Sequence, residues 1–179
     1  MLEEKPFPLH LIDEAGEALP AAAVEFEFYS WLKDGAGPDD WHSFAQGVNW
    51  GAHNPELYEW IVSSRECDRA TALLFFWKSA PESDLELYEQ DSSYVSDSAT
   101  LQTLIISYWA AGYYKRSDIE FNLFEDTWWR DFEGLDNKFG PKSEQVMPKS
   151  MRVDILGRAV KCGDTIEGIP SRFWPAELR

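Results

Sequence analysis

The chain has 179 residues, enough for one domain with an adequate core. Its 32 acidic and 16 basic residues leave a formal net charge of −16. Such a field repels nucleic-acid phosphate and anionic membrane, so neither is an expected partner, whereas a basic protein is attracted. Nine tryptophans, seven tyrosines and eleven phenylalanines are a heavy aromatic load, to be divided between the core and a few surface anchors.

Residues before Leu19 read as an extended arm. The start, MLEEKPFPLHLIDEAG, has acids where a signal peptide needs a basic segment, and no stretch approaches the ~20 apolar residues of a membrane span, so a cytoplasmic setting is expected. Pro20–Asp34 fits both periods: Val24, Phe26 and Phe28 alternate like a strand, while Val24, Phe28, Trp31 and Leu32 fit a helix. Pro20 at the start and Gly35 at the end favour the helix. Pro38, Asp39 and Asp40 open a second helix with Trp41, Phe44, Ala45 and Val48 as its inner face.

Asn54 before Pro55 is an N-cap followed by proline at the first helical position, and Leu57, Trp60 and Ile61 form one apolar face. Asp68 repeats the signal for a helix from Arg69, with Ala70, Leu73, Leu74 and Trp77 at helical spacing and Pro81 ending the run. The segment Leu73–Trp77 is apolar nearly all round, which predicts burial on most sides. Three short antiparallel helices with tight connections are the economical arrangement.

From Pro81 to Thr100 the chain carries Glu82, Asp84, Glu86, Glu89, Asp91 and Asp97 with no Lys or Arg, as an acidic loop or a short surface helix. Ser98 is placed to cap a longer helix bearing Leu101, Leu104, Ile105, Tyr108 and Trp109, with Gly112 as its C-cap and Lys115 and Arg116 near the negative helix end. A second acidic block follows around Trp128 and Trp129. The segment Gly134–Lys149 reads as a loop, Met151–Val160 as a small hairpin turning at Gly157, and Ile169–Arg179 as a tail pinned by Phe173 and Trp174. The expected architecture is mainly α: a multi-helix domain of short antiparallel helices with a small C-terminal β-hairpin. Its expected parts are an arm over 1–19, a helical core over 20–133 and a loop-rich extension over 134–179.

Trp41-His42, Ala45, Asn49-Trp50, Trp60-Ile61-Val62, Cys67-Asp68, Ala70 to Leu73, Phe76-Trp77 and Pro81 together resemble the bacterial domain-of-unknown-function family 4274. AAGYYKRSDIEF from Ala110 to Phe121 is similar to that family's Gly-aromatic-Tyr element, and GRAV at Gly157 and EGIP at Glu167 to its tail. The chain departs at Gly51-Ala52-His53, where the family pattern has an acid and then glycine. The resemblance implies a fold. It brings no activity and no catalytic residue.

Chemistry-bearing residues are present without chemical spacing. His10, His42, His53, Cys67 and Cys162 show neither CxxC nor HExxH, so no metal site and no cofactor is expected. The two cysteines are too few and too far apart for a disulfide framework, and buried free thiols are expected. Cys67 at a helix start could gain thiolate character, but Asp68 beside it opposes this, and burial as a small hydrophobe is the simpler reading. Carboxylate pairs are too abundant to single one out, and phosphate loops and GxSxG elbows are absent. Asn49-Trp50 and Asp68 are explained by turn formation and capping.

The sharpest feature is the acidic-aromatic block of Glu125, Asp126, Trp128, Trp129, Asp131 and Glu133, with Glu89 and Asp91 as a further acidic pair. Tryptophans ringed by acids form an anchor inside a steering rim, or else both rings finish the core while the acids stay in water; adjacent residues point apart, which puts one of the two rings nearer the surface. The expected function is that of a non-catalytic acidic binding protein. An immunity protein that occludes a basic toxin fits best, ahead of an enzyme using Cys67 or a carboxylate pair, or a structural adaptor.

Overall fold

The computed structural model describes residues 3–11, 20–50, 53–90, 96–127, 131–166 and 168–175. Helix α1 (Pro20–Asp34) takes the helical alternative at Pro20 and ends before Gly35, whose N–H donates to the Trp31 carbonyl at 2.8 Å. Helix α2 (Pro38–Gly47) starts with Pro38 and a reciprocal cap in which the Asp40 carboxylate accepts from the Gly37 N–H at 3.0 Å. Asn54 caps α3 (Pro55–Ser63) and Asp68 caps α4 (Arg69–Lys78), each accepting an N–H at 2.9 Å. These starts lie where the local chemistry predicts them, because each cap joins groups only two or three residues apart.

Helix α4 is the axis of the core. Every side chain from Ala70 to Trp77 is buried. It packs on α2, while α3 packs most closely on α6 (Asp97–Ala110), so the arrangement is not a simple row of sequence neighbours. The Trp77 indole donates to the Met151 carbonyl at 3.3 Å and meets the Phe132 ring edge-on, which ties the C-terminal third to the core.

Proline 81 does more than end α4. Ala80 adopts a left-handed conformation with φ of 53°, and Pro81 is the first residue of α5 (Pro81–Gln90), the helical alternative for the acidic stretch. Asp84 of α5 accepts from the Ser98 hydroxyl at 2.7 Å and the Gln102 amide at 2.6 Å. Ser98 is therefore engaged across the helix pair, and Ser96 caps α6 instead, accepting from the Ala99 N–H at 3.0 Å. Gly112 ends α6 as expected, with φ of 62°. Its own N–H donates to the Trp109 carbonyl and that of Tyr113 to the Tyr108 carbonyl. Arg116, expected at the helix end, instead pairs with Glu66 and Asp118.

The segment Gly134–Lys149 is not a loop. After the short turn α7 (Leu123–Asp126), helices α8 (Phe132–Phe139) and α9 (Pro141–Val146) occupy it. Asp131 caps α8, Pro141 opens α9, and Asp136 is gripped by both Arg152 guanidinium nitrogens at 2.8 and 2.9 Å. Buried Phe139 and Met147 supply the apolar contact that overrides a weak local helix signal.

Met151–Val160 also does not fold on itself. It pairs with the 118–121 segment: Phe121 and Ile155 exchange both backbone hydrogen bonds, at 2.9 and 2.8 Å. The hairpin lies further along, as β1 (Thr165–Ile166) antiparallel to β2 (Ile169–Pro170). Phe173 in the tail packs against Phe28 and Trp31, and Trp174 packs against the core, so the expected aromatic pins are in place. The arm is stitched down: Tyr108 donates to the Glu3 carbonyl at 2.6 Å and Phe7 meets Trp60 edge-on.

Candidate partner-binding surface

The polar residues of the family-like motif are framework. Asp68 is fully buried, yet its carboxylate is well supplied with donors. One oxygen accepts the Ala70 N–H at 2.9 Å, and the other accepts those of Asp118 at 2.8 Å and Ile119 at 3.3 Å. A single side chain thus caps α4 and clamps the 116–119 segment to it. His42 is buried against Thr71, 3.1 Å from Nδ1 to the hydroxyl, and burial lowers its pKa from 6.5 to about 4, leaving the ring neutral near pH 7.

Cys67 is fully buried, and burial, reinforced by Asp68, pushes its thiol far above the ordinary range. That environment opposes a nucleophilic role. Cys162 departs from the expectation of two buried thiols: it is exposed, with its sulfur 3.7 Å from the Ser43 carbonyl. Among the described residues, no group of three or more His, Cys, Asp or Glu is placed to hold a metal ion.

The acidic-aromatic block divides by role. Asp131 spends its carboxylate on the Gly134 N–H as a helix cap, and Asp126 turns back to accept from the Asn122 N–H at 2.8 Å. Glu125 and Glu133 face solvent. Asp126 is partly buried, and that burial raises its pKa; the nearby Glu125 and Glu120 act in the same direction, against the Asn122 hydrogen bond. Trp128, Trp129, Asp91 and the Glu89 side chain lie outside the described residues.

Sequence reasoning missed the most exposed apolar groups. Phe124 on α7 is 79% exposed and Leu156 is 91% exposed, the two highest values among the described large hydrophobics. A two-residue period held the signal. Ile119 and Phe121 point inward on one segment and Ile155 on the other, which turns Leu156 outward and leaves Phe124 beyond the register.

Two grooves lie elsewhere among the described residues. A polar one of about 360 Å³ lies between α2 and the tail, lined by Asp39, Arg158, Lys161 and Arg172, with Asp39 and Arg158 paired across it. A second, of about 490 Å³, lies between α5, α6 and α9, with Leu85, Ala99, Ile106 and Val146 among its lining.

The protein is thus a mainly helical domain with a small antiparallel sheet near its C-terminus. Residues 36–108 match the family described as "Domain of unknown function (DUF4274)", the family that the tryptophan-rich motifs resemble. The match runs from the start of α2 into α6; the Phe124 and Leu156 segments lie beyond it. No curated protein and no solved structure matches the chain.

Proposed function

We propose that the protein is a non-catalytic acidic binding protein, an immunity protein that neutralises a basic toxin by covering its active or substrate-binding surface. The observation that carries this reading is the net charge of −16 and its arrangement. Residues 82–114 and 117–127 contain no Lys or Arg, so the acids of these stretches outnumber the cations brought to them from elsewhere, such as Lys138 on Glu86 and Arg116 on Asp118. Complementary fields speed capture and widen the affinity gap over wrong partners. The burial of Cys67 supports this reading over a thiol enzyme.

The test is affinity capture from the source bacterium at low salt, repeated at high salt. A basic protein that binds one-to-one, weakens as salt rises and loses its activity in the complex is the expected result. Charge reversal at Glu125, Asp126 and Asp131 should then slow association and flatten its salt dependence. If the only proteins recovered are insensitive to salt, the reading fails.

A further inference from the structure

We propose that Phe124 and Leu156 are the apolar anchors of the docking surface, and that they seat in apolar sockets ringed by Lys and Arg on a basic protein. This rests on the sequestration reading and specifies how the partner is held. Leu156 leaves one short ladder, and Phe124 leaves the helical turn that follows it. The Phe121–Ile155 bridge holds the ladder's centre, and the Asp154 carboxylate accepts the Leu123 N–H at 2.9 Å beside Phe124. Asn122 accepts from the N–H groups of Phe124 and Glu125, both at 3.1 Å, fixing the turn that presents the phenyl ring. Gly157 lies so close to the 118–119 peptide that an added Cβ would come within 2.5 Å of the Ile119 carbonyl carbon. That approach, with the Arg158 N–H bonded to the Asp118 carbonyl at 2.9 Å, holds the chain on either side of Leu156. The backbone that presents the anchors is therefore held before binding, which limits the backbone ordering entropy that association costs.

Charge selects the occupant. Asp118, Glu120, Glu125, Asp126 and Asp154 accompany the two anchors, and residues 117–127 and 153–157 contain no Lys or Arg. Among the described residues, the flanking cations are already engaged, Arg116 with Glu66 and Asp118, Arg152 with Asp136, and Arg158 with Asp39. A second copy meeting this face symmetrically would set like charges against each other, and an anionic membrane is repelled for the same reason. A basic protein surface is the complementary occupant. Apolar anchors of this kind govern how long a complex lasts, and the surrounding charge governs how fast it forms.

The experiment uses the full chain and the Phe124→Ala/Leu156→Ala double variant as parallel baits. The basic protein recovered is then identified, purified and used for binding kinetics. Both substituted side chains are exposed, and circular dichroism confirms that the variant folds. The double variant should dissociate roughly 100-fold faster or more, taking about tenfold or more per lost anchor. Its association rate and salt slope should stay within about twofold. Phe124→Tyr, which keeps the ring, should bind nearly as the parent does. Glu120→Lys/Asp154→Lys should show the opposite signature, slow association with little change in dissociation. Equal capture by both baits overturns this surface and leaves the sequestration reading standing. Capture of no basic partner by the parent chain overturns both. A parent dimer that the double variant abolishes would assign the surface to a second copy and overturn the basic partner.

Discussion

Asp68 and Asp126 are the same residue in opposite circumstances. The first is fully buried and receives three backbone N–H groups, from Ala70, Asp118 and Ile119. The second receives the Asn122 N–H, sits nearer water and has Glu120 and Glu125 for neighbours. Phe76 and Phe124 repeat the contrast, one enclosed between α4 and its neighbours, the other standing in solvent. Around α4, carboxylates and aromatics hold the fold together. Beside the Phe121–Ile155 ladder the same chemistry is turned outward into solvent. A count of residue types cannot separate these roles; the supply of hydrogen-bond donors and the degree of enclosure can.

The largest expected effect breaks the contrast at the phenylalanines. Phe76→Ala should lower unfolding free energy by about 3–5 kcal/mol, while Phe124→Ala should stay within about 0.5 kcal/mol. Urea titration of both variants measures this, and comparable losses would mean that Phe124 is part of the packed core. Next comes the buried carboxylate. Asp68→Ala leaves the N–H groups of Ala70, Asp118 and Ile119 without their acceptor and should cost about 2–4 kcal/mol. Faster hydrogen exchange at the Asp118 and Ile119 amides would localise that loss to the clamp.

A pH titration sharpens the core side of the comparison. His42 takes up a proton at 6.5 when unfolded but only at about 4 when folded. Its contribution is therefore fully present above pH 6.5 and is lost as pH falls toward 4. At ~1.36 kcal/mol per pKa unit this amounts to roughly 3 kcal/mol. His42→Gln should flatten the stability profile across that window; an unchanged slope would point to other groups.

The smallest effect belongs to Asp126. Its carboxyl is raised above the ordinary value, so the ionised form destabilises the fold at neutral pH, and that penalty fades as pH drops below the usual carboxylate range. Asp126→Asn keeps an oxygen for the Asn122 N–H. It should be slightly more stable than the parent near pH 7 and indistinguishable in acid. Thermal midpoints at the two pH values decide the matter, and a variant weaker at neutral pH would show that the charge itself is stabilising.

Legibility followed the range of the interaction. Pro38, Asn54, Asp68 and Gly112 marked helix ends correctly because a cap and its partner lie within a few residues. Ser98 misled because its hydroxyl is drawn to Asp84, fourteen positions away, which leaves the cap to Ser96. The α8 and α9 helices were hidden behind Gly, Pro, Lys and Ser, and became stable through the Asp136–Arg152 fork and the burial of Phe139 and Met147. The exposure of Glu125 and Glu133 is legible from their charge alone, whereas that of Phe124 is not, because an aromatic residue is expected inside.

By itself, then, the sequence determined the predominance of helix, most of the helix starts, the burial of α4 and the strongly negative field. Those follow from local hydrogen bonding, apolar periodicity and the sum of charges, none of which requires knowing what lies across the molecule. Only the tertiary structure decided that Asp68 reaches the 118–119 backbone, that Met151–Val160 pairs with Ile119 and Phe121, and that Cys162, Phe124 and Leu156 face solvent. Each depends on which distant segment occupies the space beside it, and that is set by packing of the whole chain.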